Sequence, residues 1–149
     1  MSNFGGDATI EIEASLERCF EVAADAENYP QWHPVIKSVR ALERDQRERF
    51  SVAELVVDAS VSTVTVEVEF TYTPPGGVEC RRRSGDLNAM STGFEFTELD
   101  PGRTRLDYST ELDPGRMLSM MARGPVVDKV RRKLLDDALA GFKAAAESG

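Results

Sequence analysis

An α+β fold is predicted for this chain: a curved antiparallel sheet of about seven strands wrapped around one long C-terminal helix, with two short helices after the first strand. Three observations carry that expectation. Between Val35 and Asp113, apolar and polar residues alternate with a period of two, in runs broken by short turns. Between Val126 and Ala146 the period lengthens to three and four. Between them in character is the stretch from Asp25 to Pro34, where two prolines four residues apart flank Trp32. A half-buried sheet has one apolar face that a second layer must cover. Only the final helix, at roughly 20 residues and about 30 Å, is long enough to do so.

The elements follow in order. Ala8 to Ile12 alternates weakly and reads as a short strand. Ser15 suits the N-cap of a helix from Leu16 to Ala24, with Leu16, Phe20 and Ala23/Ala24 at helical spacing and Glu17 in the first turn. Asp25 is placed to cap a second short helix, expected to end at Pro30. Each proline lacks an N–H and biases its predecessor away from αR, so the chain is expected to turn sharply at Pro30–Pro34. Val35–Arg44 and Glu48–Ala59 read as strands joined by a charged turn. Ser60–Thr73 is the clearest, with Val64, Val66, Val68, Phe70 and Tyr72 on one face. After the turn Pro74-Pro-Gly-Gly77 come Val78–Ser84 and Asp86–Leu99, the latter aligning Met90, Thr92, Phe94 and Phe96. Asp100-Pro-Gly102 leads into Arg103–Asp113, where Leu106, Tyr108, Thr110 and Leu112 share a face. The final helix should present Val127, Val130, Leu134, Ala138, Phe142 and Ala145 to the sheet, with Lys129, Arg132, Asp136 and Lys143 opposite.

With 149 residues, a single domain spanning 1–149 (core 8–146) is the simplest expectation. A formal charge of −8 opposes nucleic-acid binding, which needs a basic footprint. The charge is uneven: residues 116–149 hold seven Lys/Arg against four Asp/Glu, the reverse of the rest. That contrast draws the last helix toward the acidic sheet or toward an anionic surface, or is simply a solvated face. No apolar run approaches the ~20 residues of a membrane span, and the first residues lack the pattern of a secretory signal. No integral membrane association and a cytoplasmic location are therefore expected. Cys19 and Cys80 lie far apart with no metal-ligand spacing, and His33 is the one histidine. Reduced buried thiols, no metal and no cofactor are expected. Edge strands at Ala8–Ile12 and near Val57 carry Glu11, Glu13 and Asp58, which oppose pairing with another copy. Oligomeric state is not legible.

No nucleophile elbow, phosphate loop or zinc-binding helix motif is present. His33 is either a solvated loop residue or a general acid/base at a cavity rim. Arg82 falls in period-two register with Val78 and Cys80, toward the interior. An inward guanidinium needs a partner: Glu54 or Glu95, or a ligand carboxylate or phosphate. A bulged register would instead turn it to solvent. Met117, Leu118, Met120 and Met121, before the Gly124-Pro125 break, form either a lid or ordinary core.

The element order, the elbow Tyr29-Pro-Gln-Trp32-His-Pro34, the turn Asp100-Pro-Gly-Arg103-Thr-Arg105 and Asp113-Pro-Gly115 together resemble the START-like (helix-grip, SRPBCC) superfamily. Within it, the similarity is to the polyketide cyclase/dehydrase and coenzyme Q-binding group, from Ala8 to Ala146. The resemblance implies a helix-grip fold and an apolar small-molecule ligand, a lipid, isoprenoid or polyketide, in a cavity between sheet and helix. The candidate lining is Trp32, Phe70, Arg82, Met90, Phe94, Tyr108, Met117, Met120, Val127, Val130 and Leu134. A carrier or binding role is the first reading. A polyketide cyclase/dehydrase using His33, Arg82 or Tyr108 is the alternative, and a protein-interaction module the third. Aromatase/cyclases of the group use a cavity Arg near a strand end, whereas the corresponding stretch here, Val68–Tyr72, has none.

Overall fold

The computed structural model describes residues 4–58, 63–115 and 125–148. Seven strands form one antiparallel sheet: β1 (Phe4–Ile12), β2 (Ile36–Arg44), β3 (Phe50–Asp58), β4 (Thr63–Thr73), β5 (Gly77–Gly85), β6 (Ala89–Asp100) and β7 (Arg103–Asp113). The order across the sheet is β1-β7-β6-β5-β4-β3-β2. A six-strand meander thus carries β1 back on its far edge, paired with β7 from Phe4↔Leu112 to Ile12↔Thr104. Between β1 and β2 lie α1 (Leu16–Ala24), a 3₁₀ turn (Ala26–Asn28) and α2 (Tyr29–Trp32). The last helix runs as α3 (Pro125–Arg132), a π-helical turn (Lys133–Asp137) and α4 (Ala138–Glu147). This is the expected helix-grip architecture.

Several boundaries differ from the alternation pattern, each for a physical reason. β1 starts at Phe4, ahead of Ala8, because Gly5 and Gly6 pair with β7. A Cβ on Gly5 would sit 2.1 Å from the Thr110 carbonyl oxygen, so only glycine allows that approach. The second short helix does not end at Pro30. Instead Pro30 lies in the first turn of α2, where a missing N–H costs nothing. β3, which holds Val57, is interior, and the second edge is β2. The N-cap stands as expected: Ser15 Oγ accepts the Arg18 amide at 3.1 Å.

The sheet curls around α3 and α4. Val130, Leu134, Ala138, Phe142 and Ala146 are buried at a strict spacing of four. In an α-helix that spacing overshoots each 3.6-residue turn by about 40°. The wider i→i+5 turn at Lys133–Asp137 absorbs part of the drift and keeps both halves facing the sheet. It also buries Ala146, leaving Ala145, the expected position, half-buried. Phe142 packs against Trp32, Phe94 and Phe96 at ring-centroid distances of 5.2, 5.3 and 5.9 Å.

The elbow presses on this helix. A Cβ on Gly141 would lie 2.1 Å from the Trp32 carbonyl oxygen and 3.1 Å from its carbon. Gly141→Ala raises helix propensity by about 1 kcal/mol, yet overpacking against a backbone carbonyl costs about 1–3 kcal/mol or more. Urea unfolding should show a net loss of stability, and a net gain would mean that the elbow does not seat on α4.

Candidate functional site

The inner face of the sheet is laid out in cross-strand rows. In one, Phe70 opposes Cys80, Cys80 opposes Thr92, and Thr92 opposes Thr110. The Thr92 and Thr110 hydroxyls are 3.1 Å apart and hydrogen-bonded. On one side of this polar row run Val78, Phe94 and Tyr108; on the other, Met90 and Leu112. Leu134 from the π turn, Trp32 and His33 from the elbow, and Leu55 and Val57 from β3 close over it. They leave an apolar cavity of about 20 Å³, room for about one water. Glu111, whose side chain is exposed, stands at its rim.

His33 is not a solvated loop residue. It is 9% exposed, and its Nδ1 accepts the Val35 amide at 3.3 Å, which puts the ring proton on Nε2. Burial lowers its pKa from 6.5 to about 4, so the imidazole is neutral at pH 7. Cys80 is buried and its thiol is pushed up to about 12 by burial, which keeps it protonated and inert. Tyr108 is 3% exposed, and its hydroxyl makes no hydrogen bond among the described residues. Thr110, two residues along the same face of β7, is hydrogen-bonded to Thr92 and not to that hydroxyl. Burial holds the phenol well above its usual pKa, outweighing the opposing pull of Thr110. Tyr108, an expected lining residue, is not itself at the cavity wall; it, His33 and Cys80 are all held neutral by burial.

Arg82 does not join the site. Its backbone stays in register with Val68, but β5 pairs with β6 only through Arg81, so Arg82 sits past the covered part of the sheet. A register shift between Glu67 and Val68 marks the same place. The guanidinium turns back onto its own turn, Nη2 donating to the Gly85 carbonyl at 2.8 Å and Nε to the Asp86 carbonyl at 3.3 Å. Glu54, an expected partner, is instead bonded to Arg40 at 3.1 Å. A half-buried Arg82 committed to its own turn, neither paired with Glu54 nor lining the cavity, is what the geometry gives.

Of the other expected lining residues, Trp32, Met90, Phe94 and Leu134 reach the cavity. Phe70 is buried behind it, its ring 6.2 Å from Tyr29 and 6.0 Å from Tyr72. Val130 is buried in the core but is not at the cavity wall. Met117 and Met120 lie outside the described residues, as does the side chain of Val127. Sequence reasoning missed Cys80, Thr92, Thr110 and Leu55 as lining, although the two threonines stood on the inward faces of their strands. No cluster of three metal-ligating side chains occurs among the described residues, and no helix there is long and apolar enough to cross a membrane.

Residues 6–147 match the family described as polyketide cyclase/dehydrase and lipid transport. Comparison with curated protein sequences gives no match. Among solved structures, a START superfamily protein from Mycobacterium smegmatis is similar with a TM-score of 0.80 at 23% identity, covering 97% of each chain. A protein from Thermus thermophilus reaches 0.78 at 16% identity, again over 97% of each chain. The Zhui aromatase/cyclase from a Streptomyces species reaches 0.69 at 19% identity, covering 98% of this chain and 92% of that one. Likeness at such identities concerns the fold.

The buried histidine makes a pH-dependent contribution with a definite sign. Unfolded, His33 takes up a proton near pH 6.5; folded, only near pH 4. Between those values the unfolded state binds more protons, so stability is full above pH 6.5 and falls as pH drops toward 4. Between pH 7.5 and 5 the wild type should lose about 2 kcal/mol more than His33→Asn, which retains an acceptor for the Val35 amide. Equal pH dependence of the two urea midpoints would place the ring in solvent.

Proposed function

We propose, for a chain that belongs to the polyketide cyclase/dehydrase and lipid transport family, the role of a binding or carrier protein for an apolar small molecule. The observation that carries this reading is the cavity between the inner face of the sheet and the π turn of the final helix. It is walled by Trp32, Met90, Phe94, Leu112 and Leu134, with a few neutral polar groups set among them. Such a wall, apolar with a few fixed hydrogen-bonding groups, is the usual chemistry of a small-molecule site.

At about 20 Å³ the cavity does not hold a lipid as it stands. Binding therefore opens it, by displacing flexible side chains such as Met90 and by shifting Leu134. The π turn supports this, because i→i+5 bonding is a local departure from the α-helical ladder that recurs at functional sites. The ligand would lie lengthwise between the polar row of the sheet and the helix. Trp32, half-buried against the cavity, would report its arrival.

The test is titration with the apolar fluorophore N-phenyl-1-naphthylamine. Binding should occur with a negative heat-capacity change, the mark of apolar burial. Leu134→Ala should cost about 2–5 kcal/mol of stability, because the side chain is only 4% exposed, and yet tighten the probe several-fold by enlarging the cavity. A probe that binds equally well to both proteins sits elsewhere. Absence of binding to either would remove the ligand-carrier reading.

A further inference from the structure

We propose that the ligand of this cavity is an uncharged molecule bearing a carbonyl-type oxygen, and that the Tyr108 hydroxyl is the group that selects it by donating a hydrogen bond. The inference rests on the ligand-binding reading above and deepens it.

Its first support is an unpaired donor. A buried hydroxyl without a partner costs the protein its desolvation, whereas a phenylalanine of the same shape would pack there without that penalty. The Tyr108 hydroxyl has no solvent contact and no hydrogen-bond partner among the described residues. It is also next to the site: Thr110 is two residues along the same face of β7, and the ring of Phe94 packs against its own at 5.2 Å. Both of those neighbours line the cavity. A ligand oxygen arriving over the Thr92–Thr110 pair would thus meet a donor that the protein itself leaves unsatisfied.

A second support is the charge of the surroundings. Among the described residues no Lys or Arg lines the cavity, and the one acidic side chain there is that of Glu111 at the rim. Arg82, the cation best placed by sequence to hold a carboxylate, is committed to the Gly85 and Asp86 carbonyls. An anionic ligand would bury its charge unpaired beside a like charge, which is costly. A ketone, quinone or ester loses only the hydrogen bonds it makes with water, and Tyr108 returns one of them.

The experiment compares three naphthalenes of similar shape by calorimetry: 1-acetylnaphthalene, 1-isopropylnaphthalene and 1-naphthoate. Each is titrated into wild-type protein and Tyr108→Phe at pH 7.5. The ketone should bind the wild type at least tenfold more tightly than naphthoate. Tyr108→Phe should weaken the ketone about tenfold and the isopropyl compound less than twofold, the difference being the hydrogen bond. The melting temperature of the unliganded variant should equal or exceed that of the wild type, as expected when an unsatisfied hydroxyl is removed. A lower melting temperature would mean that the hydroxyl already has a partner, such as a trapped water, and would overturn the proposal. So would equal weakening of ketone and hydrocarbon, or preference for naphthoate; in those cases the cavity still binds apolar molecules and only the selectivity fails. If none of the three binds and N-phenyl-1-naphthylamine does not bind either, the ligand-carrier reading fails with it.

Discussion

Phe142 touches rings from two distant parts of the chain, Trp32 of the elbow and Phe94 and Phe96 of β6, and is 1% exposed. Burial of this ring is the contact on which the architecture depends. A curved sheet with an apolar inner face cannot be stable alone, and the final helix covers it only if large side chains reach the sheet floor. Phe142 does so, worth about 1.5–3 kcal/mol from area removed from water alone. The C-terminal end of the helix is then tied by polar contacts. Arg18 donates to the Ala145 and Ala146 carbonyls, satisfying the orphaned C-terminal acceptors of α4. Lys143 donates to the Glu11 carbonyl on β1.

The elbow turns that packing into a site. Tyr29 is buried and its hydroxyl donates to the Ala23 carbonyl, which fixes the angle between α1 and α2. Pro30 starts α2 in a conformation it already prefers, and Trp32 then lies edge-on to both Tyr29 and Phe142. The carbonyl of Trp32 fits against the bare Cα of Gly141. One wall of the cavity is held by these contacts, and the opposite wall by cross-strand pairing of β5, β6 and β7. The groups free to move are Met90 and the segment of helix at the π turn, so any opening is confined to that side.

The interior and exterior of this protein follow opposite electrostatic rules. Outside, ion pairs such as Arg103 with Glu11 and Arg105 with Asp107 are exposed, and each contributes little. Inside, histidine, tyrosine and cysteine are all held in their neutral forms by burial. A site built this way cannot use fixed charge to attract or orient a ligand. Shape and single hydrogen bonds are what remain, and of these the Tyr108 hydroxyl is the one left without a partner among the described residues.

Much of this was legible in the sequence, because it depends on local period. Alternation in Val64–Tyr72 and Leu106–Leu112 places those side chains on one face of a sheet wherever the strand lies. Ser15 caps its helix by a bond three residues away, and β7 runs from Arg103 to Asp113 as the pattern requires. Properties that depend on two distant segments at once were not legible. Period two put Arg82 inward; the end of β5–β6 pairing at Arg81 leaves it past the cavity, where the Gly85 and Asp86 carbonyls take up its guanidinium. Thr92 and Thr110 were visible as inward residues, but only the β6–β7 register makes them a pair. His33 looked solvated because its neighbours are prolines and a tryptophan in a loop, and its burial comes from strands and a helix far along the chain. Periodicity determines which face a residue occupies; register, bulges and the helix laid across the sheet decide what it meets there, since those are set by the packing of the whole chain.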